Sequence, residues 1–337
     1  MRQIFITGRG GPEKLQLREA ADPVPQADEV RIRVRAAGIN FADILARQGL
    51  YPDAPPLPCV VGYEVSGTID QIGEGVTGFS AGDRVFAMPH FGGYSDTVVV
   101  PSGQAIPMPA KMTFEEAAAL PVVYLTAHHA MHFTGNLREG ARVLVHSAAG
   151  GVGLAAVQLA KARGCTIFGT ASASKHDFLR AQGVQHPIDA NADYAAAVRA
   201  VVGDAGLDLV LDPVGGASWK IGYDLLGPTG RLVAFGFSAA AAGNTRSLLR
   251  AVTQFMKVTK YSPMNLMDHN KTVTGINMGH LFDRLDILRP QFEALMRMYE
   301  AGHIKPQVDR TFRFGEAPAA HQYLHDRKAK GKVLLAP

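Results

Sequence analysis

Alternating apolar and polar residues mark much of the first third of the chain. Residues 29–35 and 65–73 each follow this two-residue period, and prolines and glycines interrupt the region throughout. Alternation of this kind is typical of β-strands that bury one face, and the Pro and Gly positions mark the turns between them. We therefore predict a β-rich region from Met1 to about Leu120.

From about Pro121 to Asn277 the pattern changes to short apolar runs separated by helix-forming stretches. Residues 207–212 and 230–236 are apolar strands that end at Asp-Pro or at glycine. Strands that alternate with helices indicate a doubly wound parallel sheet, and ligands of such sheets bind beyond the carboxyl ends of the strands. The expected fold class is α/β.

The remaining residues contain one amphipathic helix around Leu288–Tyr299 and a final strand at residues 332–335. Because this tail is too small to fold alone, we expect it to return and complete the β-rich region. At 337 residues the chain exceeds the size at which a single core keeps growing, so two domains are expected. The predicted division is residues 1–122 with 280–337 for the β-rich domain, and residues 123–279 for the parallel sheet.

A glycine cluster at residues 148–153 directly follows the apolar run at residues 141–146. Gly150 and Gly153 match two positions of the dinucleotide-binding fingerprint, while Ala148 stands where its first glycine is usual. An apolar strand that turns through glycines into a helix can bind a diphosphate, because the helix begins with unpaired N–H groups and the positive end of its dipole. Glycines also mark ordinary loops, so the cluster alone leaves that alternative open.

The strand after this helix indicates which dinucleotide would bind. Residues 165–170 form the second strand of a βαβ unit, and the chain continues through Ala171–Lys175 with no carboxylate before Asp177. NAD sites commonly carry Asp or Glu here for the ribose 2′-hydroxyl, whereas hydroxyls and a cation suit a 2′-phosphate. We therefore predict NADPH as the cofactor. The alternative is that Lys175 and Asp177 merely open a solvated helix.

Composition narrows the functional classes. The chain is 47% hydrophobic and 19% charged, with a formal net charge of +4. Its Lys and Arg residues are scattered, which argues against a nucleic-acid partner. Neither a signal-peptide pattern nor an apolar stretch long enough to span a bilayer is present, so we expect cytoplasmic residence without a membrane partner. The two cysteines, Cys59 and Cys165, give neither a disulfide framework nor a metal cage.

Five segments in the proper order resemble the medium-chain dehydrogenase/reductase superfamily, and within it the zinc-free, zeta-crystallin-like quinone oxidoreductase branch. Residues 268–277, together with 145–149, further resemble the synaptic vesicle membrane protein homologues of that branch. The resemblance covers nearly the whole chain and implies a GroES-like β-rich catalytic domain plus a Rossmann doubly wound parallel sheet. The five segments are Ala37–Asp43, Gly62–Gly67, Ala81–Val85, Ala148–Gly153 and Gly331–Leu334.

The resemblance also bears on metal chemistry. Zinc alcohol dehydrogenases of the superfamily place Cys where this chain has Asn40 and His where it has Tyr63, and these are the ligand types that catalytic zinc needs. His128 and His132 share a helical face, but no nearby Cys or carboxylate completes a metal set, so helix packing is the favoured interpretation of both. No metal is expected.

Without a Lewis acid, the site should favour acceptors that take hydride readily. The resemblance implies NADPH:quinone oxidoreductase activity on a small electrophilic substrate, a quinone or related activated carbonyl compound. Two alternatives stay open: reduction of an enal, enone or enoyl-thioester double bond, and a non-enzymatic role as a cofactor-sensing or membrane-associated partner. For the membrane role, residues 246–257 form the best amphipathic candidate, although packing over the cofactor cleft explains them better. The resemblance also implies a homodimer.

By the same resemblance, the active site lies between the two domains, with Asn40 and Asp43 near the nicotinamide and Tyr51 at the substrate mouth. Asn40 would donate to the acceptor oxygen, and Tyr51 would stack on a ring or donate a proton. Asn40 also suits the N-cap of a helix that begins at Phe41, and the two roles can coexist.

The cofactor contacts implied by the resemblance follow the dinucleotide from its nicotinamide to its 2′-phosphate. Ser172, Lys175 and Tyr194 would meet the 2′-phosphate, and residues 149–153 the diphosphate. The full set is Thr126, Ala149, Gly150, Gly151, Val152, Gly153, Ser172, Lys175, Tyr194, Phe235, Gly236, Phe237, Ser238, Asn277 and Lys330.

Overall fold

The structure is a computed structural model that describes residues 1–241 and 248–337. Its first part is built mainly from strands, with two short helices. In chain order these elements are β1 (Arg2–Ile6), β2 (Leu15–Glu19), β3 (Glu29–Gly38), α1 (Phe41–Gln48), β4 (Cys59–Val60), β5 (Val65–Ile72), β6 (Arg84–Ala87), β7 (Thr97–Pro101), β8 (Ala105–Pro107) and α2 (Phe114–Ala118).

The middle of the chain alternates strands with helices. Its elements are α3 (Pro121–His128), which continues into a π-helical turn (His129–Thr134), β9 (Arg142–Val145), α4 (Gly151–Ala162), β10 (Thr166–Ala171), α5 (His176–Gln182), β11 (His186–Asp189), α6 (Tyr194–Val202), β12 (Leu207–Asp212), α7 (Ala217–Leu225), β13 (Leu226–Ala234), α8 (Leu248–Met256), α9 (Pro263–His269) and β14 (Thr272–Gly275). The last part contains α10 (Leu285–Glu300), β15 (Val308–Arg313), α11 (Ala317–His325) and β16 (Lys332–Ala336).

Strand β3 illustrates how the alternating pattern folds. Val30, Ile32 and Val34 are buried, while Arg31 and Arg33 lie between them. The two arginines pair across the sheet with Asp70 of β5, at 2.9 and 2.6 Å. The strand therefore separates an apolar face from a charged one, as the sequence pattern predicts.

The last two strands of the chain complete the first sheet. Its strand order is β15-β16-β3-β5-β6-β8, with β7 also paired to β3. Strand β16 runs antiparallel to β3, with Leu334 opposite Gly38 and Leu335 opposite Ala37. The loop that precedes β16 is thereby held close to the segment that joins β3 to α1.

The second sheet is parallel, with the order β11-β10-β9-β12-β13-β14. This confirms the predicted Rossmann-type sheet beside a GroES-like β-rich region. Chain connections lead outward in opposite directions from β9, so the order reverses between β9 and β12, which is where such sheets bind ligands. Helix α10 packs against α3, and the ring centroid of Phe292 in α10 lies 5.9 Å from that of Phe86 in β6.

Within the described residues, no helix has the length and apolar character needed to cross a membrane. Helix α8 falls in the segment that the sequence marks as amphipathic, and its residues Leu249, Val252, Phe255 and Met256 are exposed. Residues 242–247, including the first two of that segment, lie outside the described residues.

Candidate active site

The glycine cluster forms a tight turn between β9 and α4. Ser147 takes a positive φ of 54°, and Ala148 N donates to Thr170 O at 2.9 Å, which fixes the turn against β10. A Cβ atom on Gly153 would overlap Ser147 O and the backbone of Ala148, so only glycine fits there. The third glycine of the fingerprint thus lets the helix pack closely on the turn.

The amino end of α4 presents free backbone donors. Gly150 is the N-cap residue, and no side chain among the described residues caps this end. Leu154 N donates to Gly150 O at 2.8 Å, which leaves the amides of Gly151, Val152 and Gly153 without intrahelical acceptors. These amides and the positive end of the helix dipole form a site suited to an anion.

The loop before β16 joins this turn to the first sheet. Gly331 N donates to Ala149 O at 2.9 Å, and the next residue, Lys332, extends toward β3 and β5. Its ammonium lies 2.6 Å from Asn40 Oδ1 and 2.6 Å from Glu64 Oε1. One short segment therefore connects the glycine turn to Asn40.

Asn40, Glu64 and Lys332 form a buried polar cluster, which we call the Asn-Glu-Lys cluster. Asn40 Nδ2 donates to Glu64 Oε1 at 2.9 Å, and Val122 N at the start of α3 donates to Glu64 Oε2 at 2.8 Å. The exposed fractions are 0% for Glu64, 3% for Lys332 and 9% for Asn40. A Cβ on Gly38 would overlap the Glu64 carboxylate, so the carboxylate fits because β3 ends in glycine.

The cluster fixes the orientation of the Asn40 amide. Its oxygen accepts from Lys332 and one of its two amide hydrogens goes to Glu64. The second hydrogen has no partner among the described residues, and 9% of Asn40 is exposed. An acceptor oxygen of a substrate could therefore receive it.

Asp43 lies in the first turn of α1, three residues after Asn40. Its carboxylate accepts hydrogen bonds from Asn40 N at 2.7 Å, Tyr94 OH at 3.0 Å and Gly62 N at 3.2 Å. Complete burial raises the pKa of Asp43 to about 7, although these donors favour the ionised form. Asp43 is thus a buried residue that joins the start of α1 to the loop at Gly62.

Tyr51 follows α1 and is half-buried. Its ring lies edge-on to Tyr63, with centroids 6.3 Å apart, and burial raises the pKa of its hydroxyl. Nearby, Asp53 Oδ2 accepts from Asn277 Nδ2 at 3.2 Å and lies 3.0 Å from His280 Nε2. These contacts connect the segment carrying Tyr51 to the chain just beyond β14, and they bring the predicted residue Asn277 to the same region.

Ser172 and Ser174 follow the carboxyl end of β10, and their hydroxyls are 3.2 Å apart. Lys175 Nζ donates to the carbonyl oxygens of Arg327 and Ala329, both at 2.6 Å, and burial lowers its pKa. Lys330 is exposed, with its ammonium 5.8 Å from the Phe178 ring centroid. Ser172 and Lys175 thus follow the end of β10, and the ammonium of Lys175 is bonded to the loop before β16, which also carries Lys330.

The other predicted cofactor residues lie in the second half of α3, at the start of α6 or beyond the carboxyl end of β13. Thr126 Oγ1 donates to Val122 O at 2.6 Å within α3. Phe235 N donates to Asp212 O at 3.1 Å, and Ser238 N to Pro213 O at 3.0 Å, so residues 235–238 follow β13 along the end of β12. Tyr194 packs edge-on against His146, with centroids 4.9 Å apart.

Sequence reasoning assigned no role to four buried polar residues, Glu64, Lys332, His146 and Asp212. His146 Nδ1 lies 3.0 Å from Thr170 Oγ1, and Asp212 Oδ1 accepts from Val214 N and Gly215 N at 2.6 and 3.1 Å. Each of the four stands beside or within an apolar strand. A polar residue at the end of a buried strand is the signal that could have singled them out.

Two family models match the chain. Residues 26–110 match the alcohol dehydrogenase GroES-like domain, and residues 182–335 match the zinc-binding dehydrogenase family. The human synaptic vesicle membrane protein VAT-1 homolog is 42% identical over 341 residues, which cover 100% of this chain and 86% of that protein.

Two solved structures resemble the fold over its whole length. Escherichia coli quinone oxidoreductase complexed with NADPH has a TM-score of 0.88 and 30% identity, covering 100% of both chains. The CurK enoyl reductase has a TM-score of 0.86 and 28% identity, covering 99% of this chain and 98% of its own.

The GroES-like sheet, the Rossmann-type sheet and the glycine turn that follows β9 define an oxidoreductase of the medium-chain dehydrogenase/reductase class. The chain belongs to that superfamily, in the branch of the quinone oxidoreductases and VAT-1 homologues.

The residues at the catalytic zinc position of the superfamily do not fit zinc. Asn40 offers an amide oxygen that already accepts from Lys332, and the ammonium itself places a positive charge beside it. Zinc sites use thiolate, imidazole or carboxylate ligands. In addition, the described residues contain no group of three or more His, Cys, Asp or Glu side chains arranged to hold a metal.

Proposed function

We propose that this protein is an NADPH-dependent oxidoreductase that transfers hydride to a quinone or a related activated carbonyl compound. The observation that carries the proposal is the continuous contact from the glycine turn through Gly331 and Lys332 to Asn40. It connects a dinucleotide-binding turn to a fixed amide donor. The E. coli quinone oxidoreductase of the same branch is named as an NADPH complex.

The site fits a dinucleotide phosphate in several respects. Because Gly153 has no Cβ, α4 begins close against the turn, and the amides of Gly151, Val152 and Gly153 have no intrahelical acceptors. In our proposal these groups hold the diphosphate, while Ser172, Lys175 and Lys330 favour the 2′-phosphate. When bound, NADPH supplies the hydride.

The protein's contribution is to orient the acceptor and stabilise its developing charge. The free amide hydrogen of Asn40 donates to the acceptor oxygen, and the nearby Lys332 ammonium supports it electrostatically. Tyr51 closes one side of the acceptor with its ring. A quinone gains the hydride and one proton to become a hydroquinone, with the proton coming from solvent or from Tyr51.

We expect Asn40→Ala to lower kcat with a quinone by about 10²-fold or more, since loss of one preorganised donor to a developing oxyanion has an effect of that order. The KM for NADPH should change little. Steady-state kinetics, with thermal unfolding as a check on folding, measure both. A kcat within about twofold of the unmodified protein would contradict the role of Asn40.

We expect Lys330→Ala to raise the KM for NADPH by about tenfold while leaving that for NADH unchanged, because a charge-assisted contact to a 2′-phosphate is worth about 1.5–3 kcal/mol. Lys330 serves better than Lys175, whose removal would also free two carbonyl oxygens. Lys220→Ala, at an exposed lysine of α7 paired to Asp224, is the matched control. Equal effects on both cofactors would reject this assignment.

The direct test of the activity is NADPH oxidation, followed by absorbance, with an aromatic ortho-quinone and a linear α,β-unsaturated aldehyde as parallel substrates and NADH as the control cofactor. Quinone turnover with a preference for NADPH supports the proposal. Turnover of the aldehyde alone would replace it with alkene reduction. That second function is favoured by the similarity to the CurK enoyl reductase, since the same hydride geometry serves a C=C bond.

We further propose that the chain divides into two domains, residues 1–122 with 280–337 and residues 123–279. We also propose that the protein forms a homodimer by pairing of cofactor-domain sheet edges, and that it resides in the cytoplasm. In the described sheet, β14 is an edge strand that could pair with a second copy. Gel filtration with light scattering tests the dimer: the mass of a single 36.0 kDa chain would reject it.

A further inference from the structure

A second concave site lies away from the glycine turn, where the end of α3, the π-helical turn, the end of α4 and helix α10 meet. We call it the basic pocket. Its volume is about 390 Å³, within the range of small-molecule sites. The residues that line it are His128, His132, Arg163, Ala294, Arg297, Met298 and His303.

The polar lining of the basic pocket is entirely basic. Three histidines and two arginines line it, and no acidic side chain occurs among its described lining residues. Neither Arg163 nor Arg297 forms a salt bridge with any residue that the structure describes. By contrast, Arg142 on the neighbouring strand β9 is held by Asp208 at 3.0 Å. The positive charge of the basic pocket therefore comes from two arginines without a carboxylate partner among the described residues, beside three histidines.

A buried glutamine sets the tautomer of His128. Gln291 Nε2 donates to Ile287 O at 3.0 Å and lies 3.1 Å from His129 Nδ1. Its oxygen must then accept from His128 Nδ1, at 3.1 Å. A neutral His128 therefore carries its proton on Nδ1, which leaves Nε2 as the atom that gains a proton when the ring becomes charged.

The rings of His128 and His132 are tilted by 49° to each other, with centroids 4.7 Å apart. Burial, together with the positive charge of Arg163, lowers the pKa of both rings, that of His132 to about 4. Protonation of either ring is thus disfavoured at neutral pH. A bound anion would offset the charge of Arg163 and raise both pKa values, so binding should be accompanied by proton uptake.

We propose that the basic pocket binds a phosphate monoester, with the phosphate held by Arg163, Arg297 and the pocket histidines. The Arg guanidinium is suited to bidentate phosphate recognition. Ala294 and Met298 provide an apolar surface for the organic part of the ester. A metal is not the expected occupant, because the described residues contain no group of three His, Cys, Asp or Glu side chains with metal-binding geometry.

The test is isothermal titration calorimetry of the protein saturated with NADPH, so that the proposed cofactor site is occupied. The probes are sn-glycerol 3-phosphate and inorganic sulfate, with sodium chloride at matched ionic strength as the blank. Sulfate stays a dianion from pH 6 to 8, so the pH dependence of its binding reports the protein's protons alone. The variants are R163A/R297A and the control Arg199→Ala, at an exposed arginine of α6.

We expect saturable binding of both probes that is lost in R163A/R297A and kept in Arg199→Ala. For sulfate, the Kd should decrease as the pH is lowered, by up to about tenfold per pH unit for each proton taken up. The titratable groups that line the pocket with Arg163 and Arg297 are His128, His132 and His303. Absence of saturable binding at every pH, or equal loss in Arg199→Ala, would overturn the proposal.

A vesicle-pelleting experiment distinguishes two sources of the phosphate monoester, a lipid headgroup and a soluble compound. Phosphatidylcholine vesicles with and without phosphatidic acid are pelleted with the same variants. Retention that depends on phosphatidic acid and is lost in R163A/R297A assigns the ester to a lipid headgroup. Binding of glycerol 3-phosphate without retention on vesicles assigns it to a soluble compound.

Discussion

Replacing Lys332 with methionine is expected to lower the free energy of unfolding by about 3–5 kcal/mol, the usual cost of removing one partner of a buried ion pair. Glu64 would keep its hydrogen bonds from Asn40 Nδ2 and Val122 N but lose its counterion at 0% exposure. Urea denaturation followed by circular dichroism measures the change. A loss below about 1 kcal/mol would show that the pair adds little to stability.

Two further variants identify burial as the cause. Lys220→Met removes an ammonium that lies 2.6 Å from Asp224, the same distance as in the Lys332–Glu64 pair, but on the exposed face of α7. We expect it to change stability by less than about 1 kcal/mol, as for surface pairs. The double variant Lys332→Met with Glu64→Gln should regain much of the lost stability, because it leaves no uncompensated charge buried. If the double variant is as unstable as the single one, lost packing rather than lost charge explains the effect.

The sequence predicted those parts of the fold in which a strong local pattern coincides with burial. Strand β9 and the glycine turn follow directly from an apolar run that meets glycines, and β3 from strict alternation. Strand β15 and helix α11 were not predicted. In β15, only Phe312 is buried, so its residues carry a weak pattern, and its place in the sheet depends on pairing with β16.

The candidate site was less accessible to sequence reasoning because its contacts join distant parts of the chain. Asn40 was placed by a motif, but its partner Lys332 lies 292 residues later. No local periodicity reports such a contact. Lys175 shows the same limit, since its bonds to the carbonyl oxygens of Arg327 and Ala329 depend on how the last loop returns to β10.

Gly153→Ala is expected to weaken NADPH binding by about 10- to 100-fold. The added methyl would overlap Ser147 O and the Ala148 backbone, and relief of such overlap costs about 1–3 kcal/mol, with each 1.4 kcal/mol worth a factor of ten. The turn would have to move away from α4, which would displace the amides at its amino end. Fluorescence titration with NADPH measures the Kd directly.

The matched control is Gly315→Ala, since a Cβ at Gly315 meets no atom within 4 Å and its φ lies outside the left-handed region. This variant should bind NADPH as the unmodified protein does. Thermal unfolding of both variants separates a local effect on the turn from a general loss of folding. If Gly153→Ala remains folded and binds NADPH with unchanged affinity, the amides of α4 do not hold the diphosphate, and the assignment of the glycine turn would have to be abandoned even though the fold itself stands.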